Sequence, residues 1–175
     1  MRLTPGLFGL LFVCACAARS SGPPVGISSN NDGTLTPIDK ATVFDFDSLD
    51  QRPVSSVAFR GKPSVIVFVT TGDIVGQAQV DYLVRMAAND GERVNYAMVA
   101  IHPRKEAVLV DAYRKTLGVE FPVAFAESGA TNASGPFGEI AAVPTVVVLD
   151  RDGRISWKHT GLAKNDEIRG HMRGL

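Results

Sequence analysis

Val65-Ile66-Val67-Phe68-Val69-Thr70-Thr71-Gly72-Asp73-Ile74-Val75-Gly76-Gln77-Ala78-Gln79-Val80-Asp81-Tyr82-Leu83-Val84, running on to Ala88, is the stretch that decides the fold. Its first five residues are an unbroken β-branched and aromatic run, the pattern of a strand buried on both faces of a partly parallel sheet. After the turn, Val80, Leu83, Val84 and Ala87 recur at i, i+3, i+4 and i+7, which lays one apolar helical face on that sheet. The expected order is strand, tight turn, helix. The turn joins the carboxyl end of a strand to the amino end of a helix, where free N–H groups and the helix dipole favour an anion. An α/β protein usually keeps its site there.

Length and composition bound the rest. A chain of 175 residues with 45% hydrophobic content supports one domain with a full core. The formal net charge is zero and no long basic run occurs, which argues against nucleic acid as a partner. The two cysteines, Cys14 and Cys16, both fall in the first segment.

That segment begins Met1-Arg2, passes through the apolar run from Leu7 to Val13, and ends in Cys14-Ala15-Cys16-Ala17-Ala18. It reads as an export signal over residues 1–16, because its apolar core is too short for a membrane-spanning helix of about 20 residues. Val13-Cys14-Ala15-Cys16 is similar to a bacterial lipobox, with Cys16 the expected lipidation site, since branched Val13 is a poor neighbour for Cys14. The alternative is cleavage after Ala17, which would release a soluble secreted protein. Either way no thiol remains free in the mature chain. Residues 17–39, rich in Ser, Gly, Pro and Asn, read as a flexible tether, and residues 40–175 as the domain.

Within the domain, Phe44 and Phe46 alternate with Asp45 and Asp47, as on a strand with one face buried. A turn from Leu49 leads to a second short strand at Val54, and Val57 to Pro63 reads as a turn of helix ahead of the central strand. Beyond the central helix, Val94 to Ile101 is a sheet strand. Lys105 to Leu117 is an amphipathic helix with Val108, Leu109, Ala112 and Tyr113 on its apolar face, stopped by Gly118. Pro122 to Ala126 is a short strand. Ser128 to Gly138 is a loop with one helical turn, expected to border the Asp73 turn. Thr145 to Leu149 and Arg154 to His159 form a hairpin about Asp150-Arg151-Asp152-Gly153, and Lys164 to Met172 is a closing helix.

From about Phe44 to Met172 this arrangement resembles the thioredoxin fold, in its TlpA/ResA-like, membrane-tethered redoxin branch. The expected fold class is therefore α/β, a single domain with a thioredoxin-like mixed sheet flanked by helices. The resemblance puts Asp73 and Gly76 at the two cysteine positions of the family's Cys-x-x-Cys turn, so Asp-Ile-Val-Gly stands where the redox pair would be. Ala142-Val143-Pro144-Thr145 matches the family's second mark, a proline just before a strand, and implies a cis Val143–Pro144 bond facing the turn. By the same resemblance Gly72, Ile74, Val75, Val143 and Pro144 are the groove residues, with Val143 exposed and offering backbone groups to an extended peptide as a sheet edge does. Copper-binding relatives use a cysteine pair and a histidine. That pair is missing here.

Each candidate also has a plainer reading. Asp73 at a helix start is most simply an N-cap. His102, His159 and His171 are widely spaced and read as surface or strand-end histidines; no metal or cofactor is expected. Asp150 to Gly153 reads as a hairpin turn rather than a calcium loop, and Trp157 as packing. Ser55, Ser56 and Thr71 have no histidine nearby in sequence to activate them. The functional expectation is an exported, lipid-anchored envelope protein, on the periplasmic face or outer membrane, redox-inactive and binding an envelope protein or peptide through the groove. Ala17 after the lipidated cysteine leans towards the outer membrane by resemblance. The alternative is a thiol-disulfide oxidoreductase or peroxidase, and both of those chemistries need a reactive thiol.

Overall fold

A computed structural model describes residues 40–175. The expected signal segment over residues 1–16, with Cys16, and the expected tether over 17–39 lie outside the described residues. The β-branched run forms β3 (Ser64–Val69), every residue of which is buried. Burial on both faces follows from its central place in the seven-stranded sheet. In chain order the other strands are β1 (Asp45–Ser48), β2 (Val54–Ser55), β4 (Asn95–Ala100), β5 (Val123–Phe125), β6 (Thr145–Leu149) and β7 (Ile155–Thr160). In space they run β2-β1-β5-β4-β3-β6-β7. The three central strands β5, β4 and β3 are parallel to one another, and the outer pairings are antiparallel. Three helices, α1 (Ile74–Asp90), α2 (Ala107–Thr116) and α3 (Asn165–Met172), complete the expected α/β domain.

Alternation along β3 divides the core in two. Val65, Val67 and Val69 pack with Val80, Leu83 and Met86 of α1, Val110 of α2 and Ile168 of α3. Ile66 and Phe68 face the other way, into Phe44, Phe46, Phe59, Phe137 and Ile140. On that second side loop and strand aromatics, rather than any helix among the described residues, cover the sheet. Phe44 and Phe46 are buried and Asp45 and Asp47 exposed, as the alternation requires.

Two helical faces differ from the sequence expectation. The buried stripe of α1 comprises Gly76, Gln79, Val80, Leu83, Met86 and Asp90, while Val84 and Ala87 are only half-buried at its margin. Gln79 belongs inside because its Oε1 accepts the Ala163 N–H at 2.7 Å, tying α1 to the lead-in of α3. Asp90 is held from two sides, by the Tyr96 hydroxyl at 2.5 Å and by Arg169 at 2.9 Å. In α2 the expected face holds only at Tyr113, and Val108, Leu109 and Ala112 are exposed. Val108 is 84% exposed and Leu109 50%, whereas Val110 is fully buried, with Ala107, Tyr113 and Leu117 packed beside it. A 3₁₀ turn over Arg104–Glu106 precedes the helix. The face that meets the core then repeats from Ala107 through Val110 and Tyr113 to Leu117, one step out of phase with Val108 and Leu109.

Gly118 stops α2 as expected, with φ +64°. Its N–H reaches the Lys115 carbonyl at 3.2 Å, and the Val119 N–H reaches that of Arg114 at 3.0 Å. Gly118→Ala forces a side chain into the left-handed region and is expected to cost about 1 kcal/mol in urea denaturation. No loss would show that the helix end can re-form in another geometry. Asp150 folds as a hairpin turn, its Oδ1 accepting from the backbone N–H groups of Asp152 and Arg154 at 2.9 and 2.8 Å.

Candidate functional site

The turn between β3 and α1 is closed by its own acid. Asp73 sits in extended backbone, and its carboxylate accepts from the N–H groups of Val75 at 3.2 Å and Gly76 at 2.8 Å. Its carbonyl takes the Gln77 N–H at 2.9 Å. The anion expected at this helix terminus is therefore the Asp73 carboxylate itself. The cap also accounts for Gly76. A Cβ there would lie 3.0 Å from Asp73 Oδ2 and 3.4 Å from Val69 Cγ1, so a larger residue would press on the carboxylate that caps the helix.

Ile74 and Val75, the first residues of α1, point away from the core, with Ile74 81% and Val75 45% exposed. Gly72 is exposed beside them. Behind the cap, the Tyr113 hydroxyl of α2 is buried without a hydrogen-bond partner among the described residues. Burial first, and then the negative charge of Asp73, push its pKa up to about 12. The phenol stays neutral.

Val143 and Pro144 reach the turn through sheet register. Thr145 pairs with Phe68 on the antiparallel neighbour of β3, so continuing that register sets Val143 level with Thr70. The Val143–Pro144 peptide is cis. Pro144 is buried and its carbonyl accepts the Gly161 N–H at 2.7 Å. Val143 is half-buried rather than exposed, since it sits just ahead of the buried Pro144 and Thr145 that begin β6. Its own N–H and C=O make no hydrogen bond among the described residues.

Reading along the sequence left out one partner of this turn. His102 lies one residue past Ile101 at the carboxyl end of β4, the parallel neighbour of β3, and its side chain is only 14% exposed. The Thr71 N–H donates to His102 Nε2 at 3.0 Å, and Thr71 Oγ1 lies 3.3 Å from the same nitrogen. Since an amide can only donate, Nε2 carries the lone pair and the ring proton is on Nδ1, which donates to Glu106 Oε2 at 2.7 Å. His102 is thus at a strand end, as expected, but it is not a surface residue. The available signal was topological: adjacent parallel strands bring their carboxyl-terminal residues together, and Glu106 follows His102 by four. The loop after β5 borders this region through Glu127 and Gly129, which share a cavity with His102.

His159 and His171 lie apart from this turn, each stacked on buried Trp157, at ring distances of 5.2 and 4.7 Å. Trp157 is packing. Ser55 ends β2, its hydroxyl accepting the Ala58 N–H at 3.3 Å, and Ser56 follows it, away from any histidine contact among the described residues.

The fold defined by this sheet and its β3–α1 turn is thioredoxin-like. A DsbF homologue from Corynebacterium diphtheriae superposes with a TM-score of 0.73 at 14% identity, covering 85% of this chain and 96% of its own. A secreted Mycobacterium tuberculosis disulfide oxidoreductase homologous to Escherichia coli DsbE gives 0.62 at 21% identity, over 79% of this chain and all of its own. The exposed lipoprotein thioredoxin Etrx1 of Streptococcus pneumoniae gives 0.64 at 19%, over 76% and 99%. These likenesses show the thioredoxin-like fold. No protein-family model matches the chain. No curated protein matches it in sequence. Among the described residues no helix is long and apolar enough to cross a membrane.

Proposed function

We propose that this chain is an exported, lipid-anchored thioredoxin-like protein of the bacterial envelope that binds an extended segment of an envelope protein or peptide and performs no thiol-disulfide exchange. The observation that carries the reading is the closed cap. The Asp73 carboxylate occupies the two N–H groups that would steady a thiolate at this turn, and no cysteine follows position 16. A carboxylate cannot attack a disulfide, so the oxidoreductase or peroxidase alternative lacks its nucleophile. What the turn does offer is contact surface: Gly72, Ile74 and Val75 exposed at the helix start, and at Val143, just before Pro144, an amide and a carbonyl unpaired among the described residues. An extended peptide could pair with that backbone and set apolar side chains on the helix rim.

Affinity for extended apolar peptides, measured by fluorescence anisotropy with the full chain, tests the groove. Ile74→Asp is expected to weaken binding about tenfold, some 1.4 kcal/mol, with the thermal midpoint unchanged because the side chain is exposed. Val143→Asp should weaken it similarly, with some loss of stability from the half-buried position. If neither variant changes affinity, the contact lies elsewhere. Reduction of a disulfide substrate by the unchanged chain would sink the redox part of the reading.

The anchor has its own test. The mature chain is expected to begin at lipidated Cys16 and to fractionate with membranes, and Cys16→Ser to release it or stall its processing. A wild-type chain found wholly soluble, with its first residue beyond Cys16, would leave the secreted alternative.

A further inference from the structure

We propose that Thr71, His102 and Glu106 form a nucleophilic site that hydrolyses small neutral or cationic carboxylic esters, a chemistry that needs no thiol. Three features support it. First, the protonation pattern is that of a general base: His102 Nε2 presents its lone pair to Thr71, whose Oγ1 is 3.3 Å away, while Nδ1–H is held by Glu106 at 2.7 Å. The Thr71 amide shares that lone pair, and a contact of this length shortens when a substrate engages the hydroxyl. Second, Thr71 stands on a strand-turn-helix at the carboxyl edge of parallel strands. The amides of Gly72 and Ile74, on either side of the capping Asp73, make no hydrogen bond among the described residues and are free to receive an oxyanion. Third, a cavity of about 410 Å³ opens beside the ring, walled by Ile101, Pro103, Ala126 and Gly129 with Glu127 as its one carboxylate. A cavity of that size, with a lining part polar and part apolar, accepts a small acyl group, and Glu127 disfavours an anionic one.

The step balances with water as the only co-reactant. Thr71 Oγ bonds to the ester carbonyl carbon while its proton passes to His102 Nε2. Collapse of the tetrahedral adduct breaks the bond to the alcohol oxygen, which leaves with that proton. Water then attacks the acyl-threonine, gives its proton to Nε2, and the returning proton restores the Thr71 hydroxyl as the carboxylic acid departs. Thr71 and His102 touch the reacting atoms. Glu106 is a positioning residue.

The competing account is that His102 only clasps the turn through the Thr71 amide, and Thr71→Val separates the two because it keeps that amide and removes the hydroxyl. The full chain is assayed with 4-nitrophenyl acetate, and labelled with a fluorophosphonate whose site is mapped by mass spectrometry. The label is expected on Thr71, and Thr71→Val and His102→Gln should each lower hydrolysis roughly a hundredfold. Thr71→Ser should keep both activity and label, which guards against a variant that fails only by misfolding. Glu106→Gln should lower kcat with KM little changed. A label on Tyr113 or Lys158, hydrolysis by Thr71→Val equal to that of the unchanged chain, or no hydrolysis above that of free imidazole would overturn the proposal. Peptide affinity of Thr71→Val, expected to be unchanged, keeps this outcome apart from that of the groove.

Discussion

Asp73→Cys combined with Gly76→Cys is expected to convert the turn into a dithiol that closes under mild oxidant. The basis is geometric. A Cβ built on Gly76 lies 3.6 Å from the Asp73 Cβ, inside the range of about 3.5 to 4.5 Å that disulfides span. The remaining neighbour, Val69 Cγ1 at 3.4 Å, leaves room for a cysteine, and removing the carboxylate takes away the 3.0 Å contact that disfavours a side chain at 76. Loss of the cap costs about 1 kcal/mol, which the new crosslink can offset.

Electrostatics make this the larger of the two effects argued here. With Asp73 gone, the Val75 and Gly76 N–H groups lose their acceptor and face the new sulfur at the positive end of α1. The thiol at 73 is expected to titrate between about 3.5 and 7.5, against about 8.5 for a free cysteine. Cys14 and Cys16 are changed to Ser beforehand, so that the introduced pair are the only thiols. Thiolate absorbance against pH gives the pKa, and a gel shift after alkylation gives the closure. Reduction of a disulfide substrate should then appear where the unchanged chain shows none. A thiol titrating at 8.5 or above, or a pair that stays open under oxidant, would mean that Asp73 and Gly76 do not occupy a redox-type turn.

How much of this could be read in the sequence depended on how local the governing physics was. The short, β-branched Val65–Val69 run has the pattern of a doubly covered strand, and an Asp immediately before a helical period caps it; both signals lie within a few residues and both appear in the structure. The face of α2 was misread because three apolar residues in a row, Val108-Leu109-Val110, leave the phase of a short helix open, and the 3₁₀ turn at Arg104–Glu106 sets it. Gln79 was invisible as a core residue because what buries it is the Ala163 N–H, 84 positions away in the chain. The contact of His102 with Thr71 spans 31 positions and follows from β3 and β4 being parallel neighbours, which no motif announces.

Phe137 was equally hidden, since a lone aromatic in a loop rich in small residues carries no period, and its removal should have the largest effect on stability. It is 1% exposed and its ring meets those of Phe44, Phe68 and Phe46 at 5.1, 5.6 and 6.1 Å. Its carbonyl accepts from Lys158 Nζ at 3.0 Å, which also donates to the Glu139 carbonyl at 2.5 Å. Burial lowers the Lys158 pKa, with Glu139 opposing, so the amine gives up hydration to pin the loop. The loop thereby covers a sheet face that no described helix protects, and it runs directly into Val143 and Pro144. Phe137→Ala opens a cavity among three rings and is expected to cost about 3 to 5 kcal/mol in urea denaturation. That is a large share of the roughly 5 to 15 kcal/mol that holds a domain folded. Phe137→Leu, which keeps most of the volume, should cost much less. If the alanine variant lost under about 1 kcal/mol, the loop would have to close over the gap, and the aromatic cluster could not be what fixes the start of β6 beside the turn.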